Sequence, residues 1–153
     1  MKQEELRRIV DYYPKTGECF WKHNKKLFGY IGSGGYYRVQ INKKQYTRSH
    51  VIWFYMTGEW PKAQIDHING IRSDDRWENL REATHSNNMM NRIGWSEKLP
   101  KWVKRNGSKY SAQVWNGKTN IHLGQFETAE DAHIVASKYA CEIHQEFFNN
   151  NKR

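Results

Sequence analysis

The sequence predicts an α+β protein of two small units, residues 1–94 and 101–153, joined by a short linker at 95–100. Three observations predict it. Short β-forming runs recur around Gly-rich turns in the first half, a strand–loop–strand–helix pattern occupies residues 63–92, and a hairpin signal at Asn116 and Gly117 precedes a long amphipathic stripe. The chain has 153 residues, enough for one core or two small ones. Seven Trp, nine Tyr and six Phe supply large apolar area despite a low mean hydropathy, so compact cores are feasible.

Taken in order, residues 2–11 carry Leu6, Ile9, Val10 and then Tyr13 at helical spacing, and Pro14 with Gly17 ends that element. Phe20 with Trp21, residues 36–41 and residues 45–48 read as short strands around glycines and an Asn42-Lys43 turn. Ser49 stands where it can cap a helix over residues 50–57, which Gly58 stops. After an Asn69-Gly70 turn and a polar loop come a short strand at Leu80 and Arg81 and a helix capped by Thr84. Residues 93–101 hold Gly, Ser and Pro with few periodic apolar positions, the composition of a linker. Residues 110–115 and 118–126 then flank Asn116-Gly117 as two strands, and residues 128–131 read as a capping box before a long helix. Ala132, Val135, Ala136, Tyr139, Ala140, Ile143 and Phe147 fall on one stripe of it. Strand alternation turns Tyr110, Ala112, Val114, Thr119, Ile121 and Leu123 toward that helix, and Ser111, Gln113, Trp115, Lys118, Asn120 and His122 outward. The polar tail 149–153 is expected to fray.

Lys plus Arg number 25 against 16 Asp plus Glu, a formal charge of +9 spread along the whole chain. A polyanion is the natural partner. No apolar run of about 18 residues and no basic helix with a broad apolar face is present, so nucleic acid is favoured over a membrane surface. Cys19 and Cys141 lie far apart and outside any C-x-x-C pair, and both read as buried thiols. The N-terminus shows no apolar signal core, which points to a reducing cytoplasm.

The residues that carry chemistry begin at Asp66-His67-Ile68-Asn69-Gly70, followed by Glu78-Asn79-Leu80, Thr84 and a cluster of Asn87, Asn88 and Asn91. No Ser-His-Asp or Cys-His set competes with them. Phosphodiester hydrolysis needs a water deprotonated on one side of phosphorus and a departing oxygen stabilised on the other. One base and one metal ion suffice. Asp66 offers a charged hard oxygen and a helical Asn a neutral one, leaving the rest of an octahedral shell to water and phosphate, as Mg²⁺ or Mn²⁺ prefers. Zn²⁺ would want a set of His and Cys that is not spaced here. His67, with a reference pKa of about 6.5, is a competent general base, and as the strand neighbour of Asp66 it points to the opposite face.

The run IDHINGIRSDDRWENLREATHSNNMMNR resembles the ββα-metal motif of HNH endonucleases, particularly the phage and intron-encoded homing type, and the preceding RSHVIWFYMTGEWP is similar to the segment that leads into it. The resemblance covers most of residues 48–92. It implies a DNA endonuclease in which Asp66 is the first metal ligand, His67 the general base, Asn79 the Asn that ties the loop, and Asn88 the distal ligand. Asn91, one turn on, and His85 are the alternative ligands. The chain departs from the commonest pattern at Asp75, where the family often has Asn, and its last position is Asn rather than the second His.

A second resemblance lies in KYSAQVWNGKTNIHLGQFETAEDAHIVASKYACEIHQEFF, which looks like the AP2 module, a three-stranded sheet backed by one helix that reads the DNA major groove. Trp102 stands where that family more often has Gly. The resemblance implies phosphate contacts from Lys104, Arg105, Lys109 and Lys118, base-edge reading by Gln113, Asn120 and Arg105, and Trp115 and His122 on the DNA-facing side. One nuclease motif per chain points to a monomeric nickase rather than a dimer. The reading from another class is a catalytically silent DNA-binding regulator that keeps the scaffold.

Overall fold

The computed structural model describes residues 1–91 and 98–148. The chain divides into two compact units, Met1–Ala83 and Thr84–Arg153. The division falls ahead of the linker expected at 95–100, of which only residues 98–100 are described.

The first unit opens with helix α1 (Gln3–Ile9), where Glu5 Oε2 accepts the Lys2 N–H that the first turn leaves without a partner. The helix expected over residues 2–11 ends early. Val10–Tyr13 form strand β1, paired antiparallel with β2 (Glu18–Trp21), with Val10 opposite Trp21 and Tyr13 opposite Glu18. Val10 is β-branched and Tyr12 and Tyr13 are aromatic, so residues whose spacing suggested another helical turn prefer a strand once a partner lies alongside. A second sheet follows in the order β3 (Tyr30–Ile31), β4 (Tyr37–Ile41), β5 (Lys44–Thr47). Asn42 and Lys43, which turn β4 into β5, both hold positive φ (49° and 63°), as a two-residue hairpin turn that matches strand twist requires.

Helix α2 (Arg48–Thr57) starts earlier than expected, with Thr47 at its N-cap, so Ser49 is a buried first-turn residue rather than the cap. Gly58 closes it in the left-handed conformation, its N–H on Phe54 O. Strands β6 (Gln64–His67) and β7 (Leu80–Ala83) pair antiparallel across a polar loop that ends in the 3₁₀ turn Trp77–Asn79. One core unites these elements apart from the exposed β3: Leu6, Val10, Phe28, Val39, Val51, Ile52, Ile65 and Leu80 are buried, and Trp21, Trp53 and Trp77 pack around them. Each such side chain contributes about 1.5–3 kcal/mol, which lets a short, polar chain hold its loops in place.

In the second unit Thr84 caps α3 (His85–Asn91), its Oγ1 accepting the Asn87 N–H. The sheet runs β10 (Asn120–Phe126), β9 (Lys109–Trp115), β8 (Val103–Asn106), and α4 (Ala129–His144) backs it. Thr128 caps α4 by accepting the Asp131 N–H. The β9–β10 connection is longer than two residues because the Asn116 side-chain oxygen accepts the N–H groups of both Lys118 and Thr119, building a wider loop that leaves Thr119 outside the strand. The α4 stripe is narrower than expected: Ala132, Ala136 and Ala140 are fully buried with His133 and His144 beside them, whereas Val135 is exposed and Phe147 sits in a terminal 3₁₀ turn. Small alanines allow close approach of helix and sheet. Cys141 is exposed rather than buried, because it follows Ala140 and projects about 100° around the helix from that stripe. Cys19 is buried, and burial pushes its thiol up to about 12. Trp102 holds positive φ (67°), the conformation glycine favours, and its ring stacks with His133 and Phe148. Packing thus supports a backbone state that the residue type disfavours.

Gly17 joins the fold of the first unit to its chemistry. It turns β1 into β2 at φ 76°, and a Cβ there would lie 2.7 Å from Arg76 N and 2.9 Å from the Asp75 carbonyl carbon. Gly107 also has positive φ (64°) but has open space around it. Gly17→Ala is therefore expected to destabilise its unit by more than the ~1–2 kcal/mol that left-handed geometry alone costs, and Gly107→Ala by no more than that. Urea unfolding of the two variants checks the difference.

Candidate active site

Asp66 and His67 end β6, and alternation along the strand turns them to opposite faces. Asp66 is 5% exposed and faces Arg81 across the β6–β7 ladder, where Arg81 Nε donates to its Oδ2 at 3.0 Å and Nη2 stands in ion-pair contact with the same oxygen at 2.9 Å. His67, 3% exposed, places its Nε2 2.9 Å from Asp75 Oδ1. Asp75, 2% exposed, takes Arg48 Nε on its other oxygen at 2.7 Å. Arg48 in turn lies with its guanidinium carbon 3.4 Å from the Tyr37 ring centroid, and its Nη1 has no hydrogen-bond acceptor among the described residues. The Tyr36 ring lies 5.8 Å from the His67 ring, and Arg72 lies over Tyr36 while donating to Gly34 O at 2.8 Å.

The loop between the strands is fixed by side chains. Asn79 Oδ1 accepts the Asn69 N–H at 2.9 Å, and Asn79 Nδ2 donates to Asp74 O at 2.7 Å, so one amide ties the two ends of the loop. Asp74 accepts from Asn69 Nδ2 and from Arg76 Nε and Nη2, and these partners, Arg76 foremost, pull its carboxyl down to about 2. The first hairpin braces the same loop: Tyr12 donates its hydroxyl to Asp75 O at 2.8 Å, and Trp77 N donates to Pro14 O at 3.0 Å. Burial pushes the Tyr12 phenol above its ordinary range, which keeps it a neutral donor.

The structure thus brings Asp66, His67 and Asn79 together in one unit. Asn88 is half-buried on α3 with its N–H on Thr84 O, and His85 is exposed; both belong to the second unit. The side chain of Asn91 lies outside the described residues. Among the described residues no group of three or more His, Cys, Asp or Glu could hold a metal ion. Asp66 offers a hard carboxylate oxygen, the donor type that Mg²⁺ and Mn²⁺ take.

Asp75 and Arg48 are the residues that motif reasoning passes over. Asp75 stands out in the sequence only as a departure from a family pattern. A signal for Arg48 exists in its position at the first turn of an apolar helix, where the positive end of the dipole disfavours a cation unless a carboxylate compensates it.

In the second unit, register sorts the predicted nucleic-acid residues. Lys104, Lys109, Gln113, Trp115, Asn120 and His122 share one face through the pairs Lys104 with Ser111, Gln113 with His122 and Trp115 with Asn120. Arg105 is opposite Tyr110, on the helix-facing row, and donates to Gly107 O. Lys118 lies in the loop. Ser111 is buried although it faces outward, its hydroxyl on Lys104 O. Trp115 is half-buried with its indole N–H on Ser86 Oγ at 3.4 Å, so a part of that ring holds α3 to the sheet. Lys109 pairs with Glu127 at 2.6 Å.

The depressed Asp74 carboxyl has a consequence in acid. Its folded value of about 2 lies below the ordinary 3.8, so its contribution to stability is complete above pH 3.8 and is lost as pH falls through about 2. Asp74→Asn is expected to flatten the pH dependence of unfolding in that window, as denaturant melts at stepped pH will show.

Compared with known proteins, residues 46–90 match the family model described as HNH endonuclease. No curated protein and no solved structure matches the chain. The matched segment runs from the end of β5 into α3 and contains Arg48, Asp66, His67, Asp75, Asn79 and Asn88, which supports an HNH nuclease portion at these residues.

Proposed function

We propose that this protein is a metal-dependent DNA endonuclease that hydrolyses phosphodiester bonds, a site-preferring homing-type enzyme or nickase. The observation that carries the reading is the Asp66-His67 pair at the end of β6, beside a loop closed by Asn79, inside the segment matched by the HNH endonuclease family. Asp66 would hold Mg²⁺ or Mn²⁺, with Asn88 the distal ligand that the motif spacing suggests, and the ion would supply Lewis-acid stabilisation of the departing 3′ oxygen. His67 takes a proton from the attacking water. A base this buried reacts with a water held in the site rather than with bulk solvent, and Asn79 keeps the loop beside it from shifting. Plasmid cleavage with Mg²⁺ or Mn²⁺, and its loss in EDTA, tests the activity. His67→Ala should lower turnover by about 10²–10⁴-fold while leaving duplex binding intact. Binding without any cleavage by the unaltered chain would favour the silent regulator instead.

The sheet of the second unit is proposed as an AP2-like DNA grip. Lys104 and Lys109 would engage phosphates, and Gln113, Asn120 and His122, exposed or half-buried on the same face, would meet base edges. Arg105 and Lys118 approach from the edge and the loop, and Trp115 contributes the part of its ring that the protein leaves uncovered. Replacing Lys104 and Lys109 with Ala in the full chain should reduce the log–log salt slope of duplex binding by about 0.9 for each phosphate no longer neutralised. Gel-shift titrations across salt read it, and unchanged slopes would remove this face from DNA binding.

A further inference from the structure

We infer that Asp75 and Arg48 are positioning residues for His67, a buried ion pair that selects which ring nitrogen accepts the proton. The inference rests on reading His67 as the general base. Carboxylate oxygens only accept hydrogen bonds, so the 2.9 Å contact between His67 Nε2 and Asp75 Oδ1 requires the proton on Nε2. The proton taken from water then goes to Nδ1. Arg48 supplies the second half of the device: its Nε donates to Asp75 Oδ2 at 2.7 Å, which fixes the carboxylate plane and commits one oxygen to each partner. All three side chains are at most 3% exposed, so no solvent competes for these bonds and the orientation is held in low dielectric. The Tyr12 hydroxyl on Asp75 O and the close approach of Gly17 to the Asp75 and Arg76 backbone keep the acceptor from retreating. A carboxylate behind a catalytic imidazole sets its tautomer, and an amide in that place can enforce the wrong one.

The chemistry of an amide makes the pair testable. In Asp75→Asn the guanidinium of Arg48 draws the amide oxygen, so the NH₂ group faces His67 Nε2 and forces the proton onto Nδ1. Turnover should fall by about 10²-fold with KM unchanged, and long-range ¹H–¹⁵N spectra of the metal-free full chain at alkaline pH should show the proton moved to Nδ1. Adding Arg48→Met removes the competing donor, freeing the amide oxygen for Nε2–H. This double variant should recover the original tautomer and turnover to within a few-fold. If Asp75→Asn does not fold alone, Arg48→Met/Asp75→Asn against Arg48→Met/Asp75→Leu makes the same comparison, since leucine presents no acceptor. An unchanged tautomer in Asp75→Asn overturns the role of Asp75. A double variant that stays as impaired as the single one overturns the role of Arg48. The spectra report the tautomer whether or not the chain cleaves DNA, so failure of the nuclease reading is seen separately.

Discussion

The buried contact between Arg48 and Asp75 is the constraint around which the first unit is arranged. Two charges taken out of water cost several kcal/mol each unless paired in good geometry, and removing one partner of such a pair typically costs about 3–5 kcal/mol. Geometry of that quality has to be imposed from outside the pair. Arg48 is held by the start of α2 and by the Tyr37 ring of β4, and Asp75 by the Tyr12 hydroxyl and by Gly17, which lets the β1–β2 turn press on the loop backbone. Elements that hold no catalytic candidate thus have a task in the site. The N-terminal hairpin, which carries none of the motif residues, is a brace for the loop that faces His67.

Asp66 is handled by a different device on the other face of the same strand. It lies opposite Arg81 in the ladder, where cross-strand neighbours on one face stand about 4.5–5.5 Å apart at Cβ, and the guanidinium meets one carboxylate oxygen with a hydrogen bond from Nε and an ion-pair contact from Nη2. Period-two alternation separates the two chemistries. Asp66 and His67 are adjacent in sequence, yet one is tied to a strand partner and the other to a loop. A single-residue slip in β6–β7 register would exchange their faces, so the hydrogen bonds by which Asn79 closes the intervening loop also protect the assignment of each side chain to its side.

Much of this is legible in the sequence, for identifiable reasons. Thr84, Thr128, Gly58 and the Asn42-Lys43 turn are readable because caps and turns act through one or two residues whose chemistry is local. The Asp66-His67 pair and Asn79 are readable because they stand at short, fixed spacing. Val10 misleads because helical spacing and strand propensity coincide there, and only pairing with Trp21 decides between them. Cys141 misleads because an alanine stripe gives no sharp edge to the buried face of α4. The link from Arg48 to Asp75 spans 27 residues and joins a helix start to a loop, so no periodicity or motif spacing encodes it. Trp102 shows the limit from the other side: a left-handed position normally marked by glycine is filled by a residue whose ring finds stacking partners on and just beyond α4.

Electrostatics ties these pieces to the proposed substrate. A site that approaches a phosphodiester with exposed carboxylates would repel it, and Asp66 and Asp75 are the two carboxylates nearest the chemistry. Each is buried and matched by its own arginine, Arg81 and Arg48, so the four groups together carry no net charge. The stretch from Cys19 to Gly58 contains no Asp or Glu and holds seven Lys and Arg. The field that a polyanion meets at distance is therefore set by surplus lysine and arginine, while the acids act only at hydrogen-bond range. Internal pairing allows one small chain to be strongly basic toward a polyanion and still keep carboxylates where the proposed metal ion and base would need them.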